Sequence, residues 1–310
     1  MAFHIAFSNV LLTLIYILPG YFLCKTKKAF ADHLSTMSAF LVYICSPCMI
    51  ISSFLSLRFD SQQFFHMGLF FIVTLLTQGL FIAILYFFFA RKNESRKYRV
   101  LSIASVFGNV GFFGLPIIKT LLPQYPEAAC YSAVFTVSMN LLVFTVGIFA
   151  LTGNKKYMSL RAAILNPSFF ALIISLLLYI FGWSRFLPDL LQNGFCLFGQ
   201  MTTPLCMVIL GVRLATVKFR QLFIRPFVYC ICLLKLLIFP ILSYALVLMI
   251  PVPFAFRASI LILSGTPCAA IVLNMAEIYH SETELAANCV LLSTLLCVIT
   301  IPLLTLICGQ

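Results

Sequence analysis

Apolar residues fall along this chain in ten long blocks separated by short polar breaks, at residues 4–22, 34–57, 64–90, 100–118, 127–151, 163–181, 190–212, 222–248, 256–276 and 285–307. Each block is near the roughly 20 residues that carry a helix across the hydrocarbon of a bilayer. The pattern predicts ten membrane-crossing helices, numbered here as spans 1 to 10, joined by short turns. At about 30 residues for a span and its turn, the 310 residues leave no stretch for a soluble domain. No Lys or Arg precedes the first block and no small-residue cleavage site follows it, so span 1 is expected to be a retained helix rather than a secretory leader.

Composition strengthens this reading. Apolar residues make up 63% of the chain and charged residues 9%, against about 25% charged in an ordinary soluble domain. So few charges cannot cover the surface of a soluble protein of this length. The balance excludes a soluble enzyme, a disordered chain and a collagen-like chain, and predicts an all-α polytopic membrane protein. The net charge of +12 would suggest nucleic acid in a soluble protein. Here it reads as a topology signal, and no aromatic-interleaved basic tract is present, so nucleic acid is not an expected partner. The 12 cysteines fall mostly inside apolar blocks and read as small hydrophobes. His4, His33, His66 and His280 are too scattered for a zinc site, so no metal or cofactor is expected.

The basic residues alternate from one side to the other. Lys25, Lys27 and Lys28 lie between spans 1 and 2. Arg91, Lys92, Arg96, Lys97 and Arg99 lie between spans 3 and 4. Lys155, Lys156 and Arg161 lie between spans 5 and 6, and Arg213, Lys218, Arg220 and Arg225 around the start of span 8. The opposite side holds Arg58, Lys119, Arg185 and Arg257. The positive-inside bias assigns the richer side to the cytoplasm and both termini to the outer side. The turn between spans 9 and 10 departs from this, with Glu277, Glu282 and Glu284 and no basic residue.

Shifting the chain by 157 residues lays one half on the other, dividing it into 1–156 and 157–310. Ser46-Pro47 falls on Thr203-Pro204, Asn9 on Asn166, Glu127 on Glu284 and Gln78 on Lys235. The run Gly108–Pro116 overlies Ser264-Gly265-Thr266-Pro267. Five spans per half is an odd number, so the halves enter the membrane from opposite sides. This is the inverted-repeat plan of many secondary transporters.

The candidate chemistry follows from the breakers. Gly108, Gly111 and Gly114, closed by Pro116, are expected to interrupt span 4; Gly265-Thr266-Pro267 should do the same in span 9. Unwound backbone is tolerated at membrane depth only where protein or water covers it. If the breaks cross, four half-helix ends meet, and the N-terminal ends with Asn109 suit a carboxylate or other anion. The alternative is that these small residues only let helices pack closely. Lys235 is an ionisable residue deep in span 8. It either offers a positive charge to the anion route or reaches the interface because the span starts later. Asn140 and Asn288 are further binding candidates, with Asn274 as another polar candidate. Pro47, Pro204, Gln78 and Glu277 are coupling or gating candidates. Backbone carbonyls could ligate sodium, and the coupling ion is left between H+ and Na+. No Ser-His-Asp set, metal cluster or nucleotide loop can be set at a membrane face, so an enzyme is not expected.

The run Gly108-Asn109-Val110-Gly111-Phe112-Phe113-Gly114-Leu115-Pro116-Ile117 resembles the glycine-rich span-4 motif of the auxin efflux carrier family, close to G-N-x-G-x-x-G-L-P. Ser46-Pro47-Cys48-Met49-Ile50 is similar to the family's span-2 proline motif. Gly265 through Ala276, with Ser293–Leu296 and Thr300-Ile301-Pro302, resembles its last two spans. The resemblance implies ten helices in inverted five-helix repeats with spans 4 and 9 broken and crossing, as in bile-acid symporters and related antiporters. It implies a scaffold of spans 1, 2, 6 and 7, often dimeric, and a mobile transport unit of spans 3–5 and 8–10. It implies small organic acid anions as substrates, malate-like or auxin-like, with Asn109 and Pro116 flanking the crossover and Pro267 as the crossing proline of span 9. The short turn between spans 5 and 6 departs from the long plant members and favours a microbial protein of a bacterial inner membrane. Two alternatives stay open: a sodium-coupled carrier of another anion class on the same fold, and a membrane ligand sensor that does not transport.

Overall fold

Polar caps and prolines set the helix ends where the sequence changes character. Asp60 starts span 3 by accepting the Gln63 N–H at 2.7 Å. Asn166 accepts the Ser168 N–H at 2.9 Å, ahead of Pro167 in the first turn of Pro167–Ile180. Gly153, at φ +70, closes span 5 in the left-handed region that favours glycine. The computed structural model describes residues 2–55, 57–92, 95–216 and 224–308. The sequence-predicted start of span 8 at 222, with Lys218 and Arg220, lies outside these.

The described residues form an all-α polytopic membrane protein. Eight helices are long and apolar enough to cross a membrane: Phe3–Lys25, Leu34–Leu55, Ser61–Phe88, Glu127–Thr152, Lys155–Ile180, Asp189–Thr216, Pro226–Leu248 and Thr283–Ile307. They correspond to spans 1–3, 5–8 and 10. At span 4 the chain forms Arg96–Ala104 and then Val110–Leu121; at span 9 it forms Phe254–Ser264 and then Ala270–Ile278.

The two non-helical segments, 105–109 and 265–269, meet. Gly108 and Cys268 form an isolated antiparallel bridge. The Asn109 N–H donates to the Pro267 carbonyl at 2.7 Å, and the Ala269 N–H donates to the Phe107 carbonyl at 3.0 Å. Backbone groups released by each interruption are thus paired with those released by the other, which a buried segment requires. The pairing is antiparallel, Phe107 facing Ala269, Gly108 facing Cys268 and Asn109 facing Pro267.

The interruption of span 4 also lies earlier than the glycines suggest. Gly111 and Gly114 sit within a π-helical turn, Val110–Gly114, and Pro116 lies in the first turn of Leu115–Leu121, where a missing N–H costs little. Pro116 therefore does not break the helix. Its missing N–H leaves the Phe112 carbonyl without its usual partner one turn back, and Thr203 Oγ1 of span 7 donates to that carbonyl at 2.7 Å. In span 9 the proline does end a helix: Pro267 disfavours helical backbone at Thr266 and cannot itself donate.

The helices pack against one another in pairs. Span 7 runs along spans 1 and 2, and span 6 along span 2; span 3 lies against span 5, span 8 against Phe254–Ser264, and span 10 against Ala270–Ile278. Span 1 also touches span 10 and the second half of span 4. Spans 1 and 7 approach backbone to backbone: a Cβ on Gly20 would overlap the Val208 carbonyl, and one on Gly211 the Ile17 carbonyl.

The acidic turn between spans 9 and 10 sits among basic ones. Arg225 Nη2 meets Glu284 at 2.7 Å, Arg213 meets Glu277 at 3.5 Å, and Arg96 Nη1 donates to the His280 carbonyl at 2.7 Å. The missing positive charges of that turn are supplied by neighbours from the 3–4 and 7–8 sides.

Candidate functional site

Three helices begin at one internal cavity of about 140 Å³. Gly108, Asn109, Val110 and Gly111 bring the N-terminus of Val110–Leu121. Ala269, Ala270 and Ile271 bring that of Ala270–Ile278, and Asn166 with Ser168 bring that of Pro167–Ile180. First-turn N–H groups have no acceptor within their own helix, and each N-terminus carries partial positive charge. All three therefore present a positive end to the same space, that of Pro167–Ile180 through its dipole alone, since Pro167 has no N–H and Asn166 Oδ1 takes that of Ser168.

Side chains complete it. Arg213 of span 7 lines the cavity; its Nη2 donates to Asn274 Oδ1 at 3.1 Å and its Nη1 lies 3.5 Å from Glu277 Oε1. Its Nε is buried with no acceptor. Ser46 and Ser168, also in the lining, share a hydrogen bond at 3.2 Å. Asn109, Thr136 and Asn140 contribute further polar atoms, and Leu41, Val42, Met139, Ile209 and Leu210 an apolar lining. Asn109 begins its helix without a side-chain cap bond; its amide reaches only the Cys206 sulfur, at 3.8 Å. Such a chamber can hold an anionic head against N–H groups and a guanidinium, and a small apolar body against aliphatic side chains.

Access differs on the two sides. Ser38, Leu210, Arg213 and Asn274 are shared with a larger vestibule that also contains Ser35, Thr216, Glu277, Glu284 and Asn288. Its lining comes from the start of span 2, the end of span 7, Ala270–Ile278 and the start of span 10. On the other side a separate hollow is lined by Asn9, Pro116, Lys119, Gln200 and Pro204. Between the two runs the Thr203–Phe112 hydrogen bond, beside Met49.

The sequence-predicted residues scatter around this geometry. Asn109, Gly108, Gly111 and Asn140 line the cavity. Gly114 packs instead against Leu263 and Thr266, and Gly265 against Leu304. Thr266 is fully buried, its hydroxyl on the Leu263 carbonyl, and Pro267 contributes its carbonyl to the bridge. Pro116 and Pro204 belong to the hollow on the far side. Pro47 lies in Ser46–Leu55, and Gln78 is buried with its amide on the Thr74 carbonyl. Asn288 stands at the vestibule with neither amide atom bonded, and Glu277 is the partner of Arg213. Lys235 lies outside the cavity lining, fully buried, and donates to the Ser264 carbonyl at 2.5 Å.

Arg213 is a cavity residue that the sequence does not reveal: the apolar block of span 7 ends at 212 and leaves the charge in the turn. The structure carries the helix to Thr216. Asn166 and Ser46 are legible in the sequence only as repeat markers, and Ser168 carries no signal there.

The described residues thus form a polytopic helical bundle with an internal polar cavity. Residues 5–162 and 154–305 match the membrane transport protein family. The chain belongs to that family, the auxin efflux carriers of the span-4 motif, and is an integral membrane transport protein. It is 25% identical over 307 residues to an uncharacterized transporter of Methanocaldococcus jannaschii, covering 95% of this chain and 96% of that one. An uncharacterized transporter of Methanothermobacter thermautotrophicus is 25% identical over 317 residues, covering 98% of each. Both relatives are archaeal.

Proposed function

We propose that this protein is a secondary active transporter of small organic acid anions working by alternating access. The observation that carries this is the convergence of three helix N-termini and Arg213 on one cavity with an aliphatic lining. Each N-terminus favours an anion by about 0.3–1 kcal/mol, more where water is excluded. A hydrogen bond from a guanidinium adds about 1.5–3 kcal/mol. Cavity size and lining favour a small organic carboxylate, malate-like or auxin-like.

The reading includes ten spans in two inverted five-span repeats, 1–156 and 157–310, with spans 4 and 9 crossing. The reciprocal pairing of 107–109 with 267–269 supports it. It includes a scaffold of spans 1, 2, 6 and 7, able to pair with a second copy, and a transport unit of spans 3–5 and 8–10; the packing of span 7 on spans 1 and 2, and of span 3 on span 5, supports that division. It includes a bacterial inner-membrane location with both termini on the outer face, so the vestibule beside Arg213 opens to the cytoplasm. The bias of basic residues supports this.

Proteoliposomes test it. Saturable flux of labelled malate or another short carboxylate, abolished in N109A, is expected. Equal rates for wild type and N109A across a panel of mono- and dicarboxylates would remove the proposal.

A further inference from the structure

Lys235 is the residue whose placement the anion cavity does not explain. It lies within Pro226–Leu248, where the helix opens into a π-helical turn, Leu234–Ile238, a distortion frequent at functional positions. Its side chain is fully buried. The ammonium donates to the Ser264 carbonyl, the last residue of Phe254–Ser264. The Phe239 ring centroid lies 5.1 Å away. Among the described residues no carboxylate is paired with it; the ion pairs found are those of Arg213 and Arg225.

Room for this ammonium is built into the opposite break. A Cβ on Gly108 would stand 2.9 Å from Lys235 Nζ and in contact with Thr266 Oγ1. The first glycine of the span-4 motif thus keeps space for the charge. A helix that ends inside the protein leaves carbonyl oxygens with partial negative charge far from water. In transporters with broken helices such carbonyl ends are where a small coupling cation binds. Here a tethered cation already stands there.

We propose that Lys235 is the resident cation of the crossover: its ammonium fills the position at the end of Phe254–Ser264 that a coupling Na+ would take, so the protein binds and moves its anion without Na+.

The test reads cation binding rather than flux, so it can fail independently of the transport reading. Purified wild-type protein is compared in NaCl and in choline chloride at equal ionic strength, by Tm and by binding of radiolabelled sodium. The same Tm in both salts and no saturable sodium binding are expected. A sodium-specific rise in Tm, or saturable sodium binding, would overturn the proposal. In K235A the carbonyl end is left bare beside an empty channel. Its Tm should fall and recover with Na+ or n-propylammonium, small enough to enter, but not with choline. A K235A protein with wild-type Tm, or one destabilised and indifferent to every added cation, would assign Lys235 to packing alone and overturn the proposal. If K235A does not fold, the wild-type sodium measurements decide.

Discussion

Arg213 has two of its nitrogens engaged by Glu277 and Asn274 and a third, Nε, with no acceptor. A carboxylate in the cavity can take the guanidinium in place of Glu277. Replacing Arg213 by Gln should therefore weaken malate binding by about 10- to 100-fold, the worth of one charge-assisted hydrogen bond. Glu277→Gln removes the competing carboxylate and should tighten it; titrations followed by thermal shift would read both, and unchanged affinity in R213Q would take Arg213 out of the site. Asn109 invites the complementary experiment. Its side chain caps nothing and holds only a sulfur at 3.8 Å, so N109A should keep its Tm within a few degrees while flux is lost. At this scale the sequence was half legible. Asn109 stood out inside a glycine run, and Lys235 as a charge in a greasy helix. The partners of Lys235 and the depth of Arg213 were hidden, because both depend on which helix lies alongside and on a helix end that moved by four residues.

Helix ends and helix contacts carry the next set of effects. Spans 1 and 7 meet at Gly20 and Gly211, each facing a carbonyl of the other helix. Alanine at either position must push the backbones apart, at a cost of about 1–3 kcal/mol. G20A and G211A should both lower Tm, and the double variant should fall short of the sum because one contact is lost twice; a G211A protein of wild-type stability would contradict this contact. Pro116 shows how a breaker can be read correctly as a residue and wrongly as an event. Its effect is to free the Phe112 carbonyl for Thr203, while the interruption itself lies at 105–109. Sequence gives the density of breakers in a span; only the opposing segment at 265–269 fixes where the chain leaves the helix.

For the molecule as a whole, the Thr203–Phe112 bond joins span 7 to the second half of span 4, between the cavity and the hollow away from the vestibule. A neutral hydrogen bond is worth about 0.5–1.5 kcal/mol, so T203V should shift the balance of conformers by roughly 2- to 10-fold. The expected sign is toward opening of the hollow at Lys119 and Gln200. Spin labels across that hollow would show a larger long-distance population in T203V, and identical distance distributions would argue against a latch. Which turns are basic was legible from the sequence, one turn at a time. The acidic turn between spans 9 and 10 was not, since its compensation by Arg96, Arg213 and Arg225 comes from turns distant along the chain.

The bridge between residues 107–109 and 267–269 is made by main-chain atoms. Main-chain bonds ask little of the side chains that carry them, beyond the room Gly108 leaves and the turn Pro267 enforces. Cargo preference can therefore be rewritten from outside the junction, through Ser46, Asn166, Ser168 and Arg213, while the joint that carries the cargo is left untouched. Such a carrier could exchange one acid for another over few substitutions without passing through a misfolded intermediate.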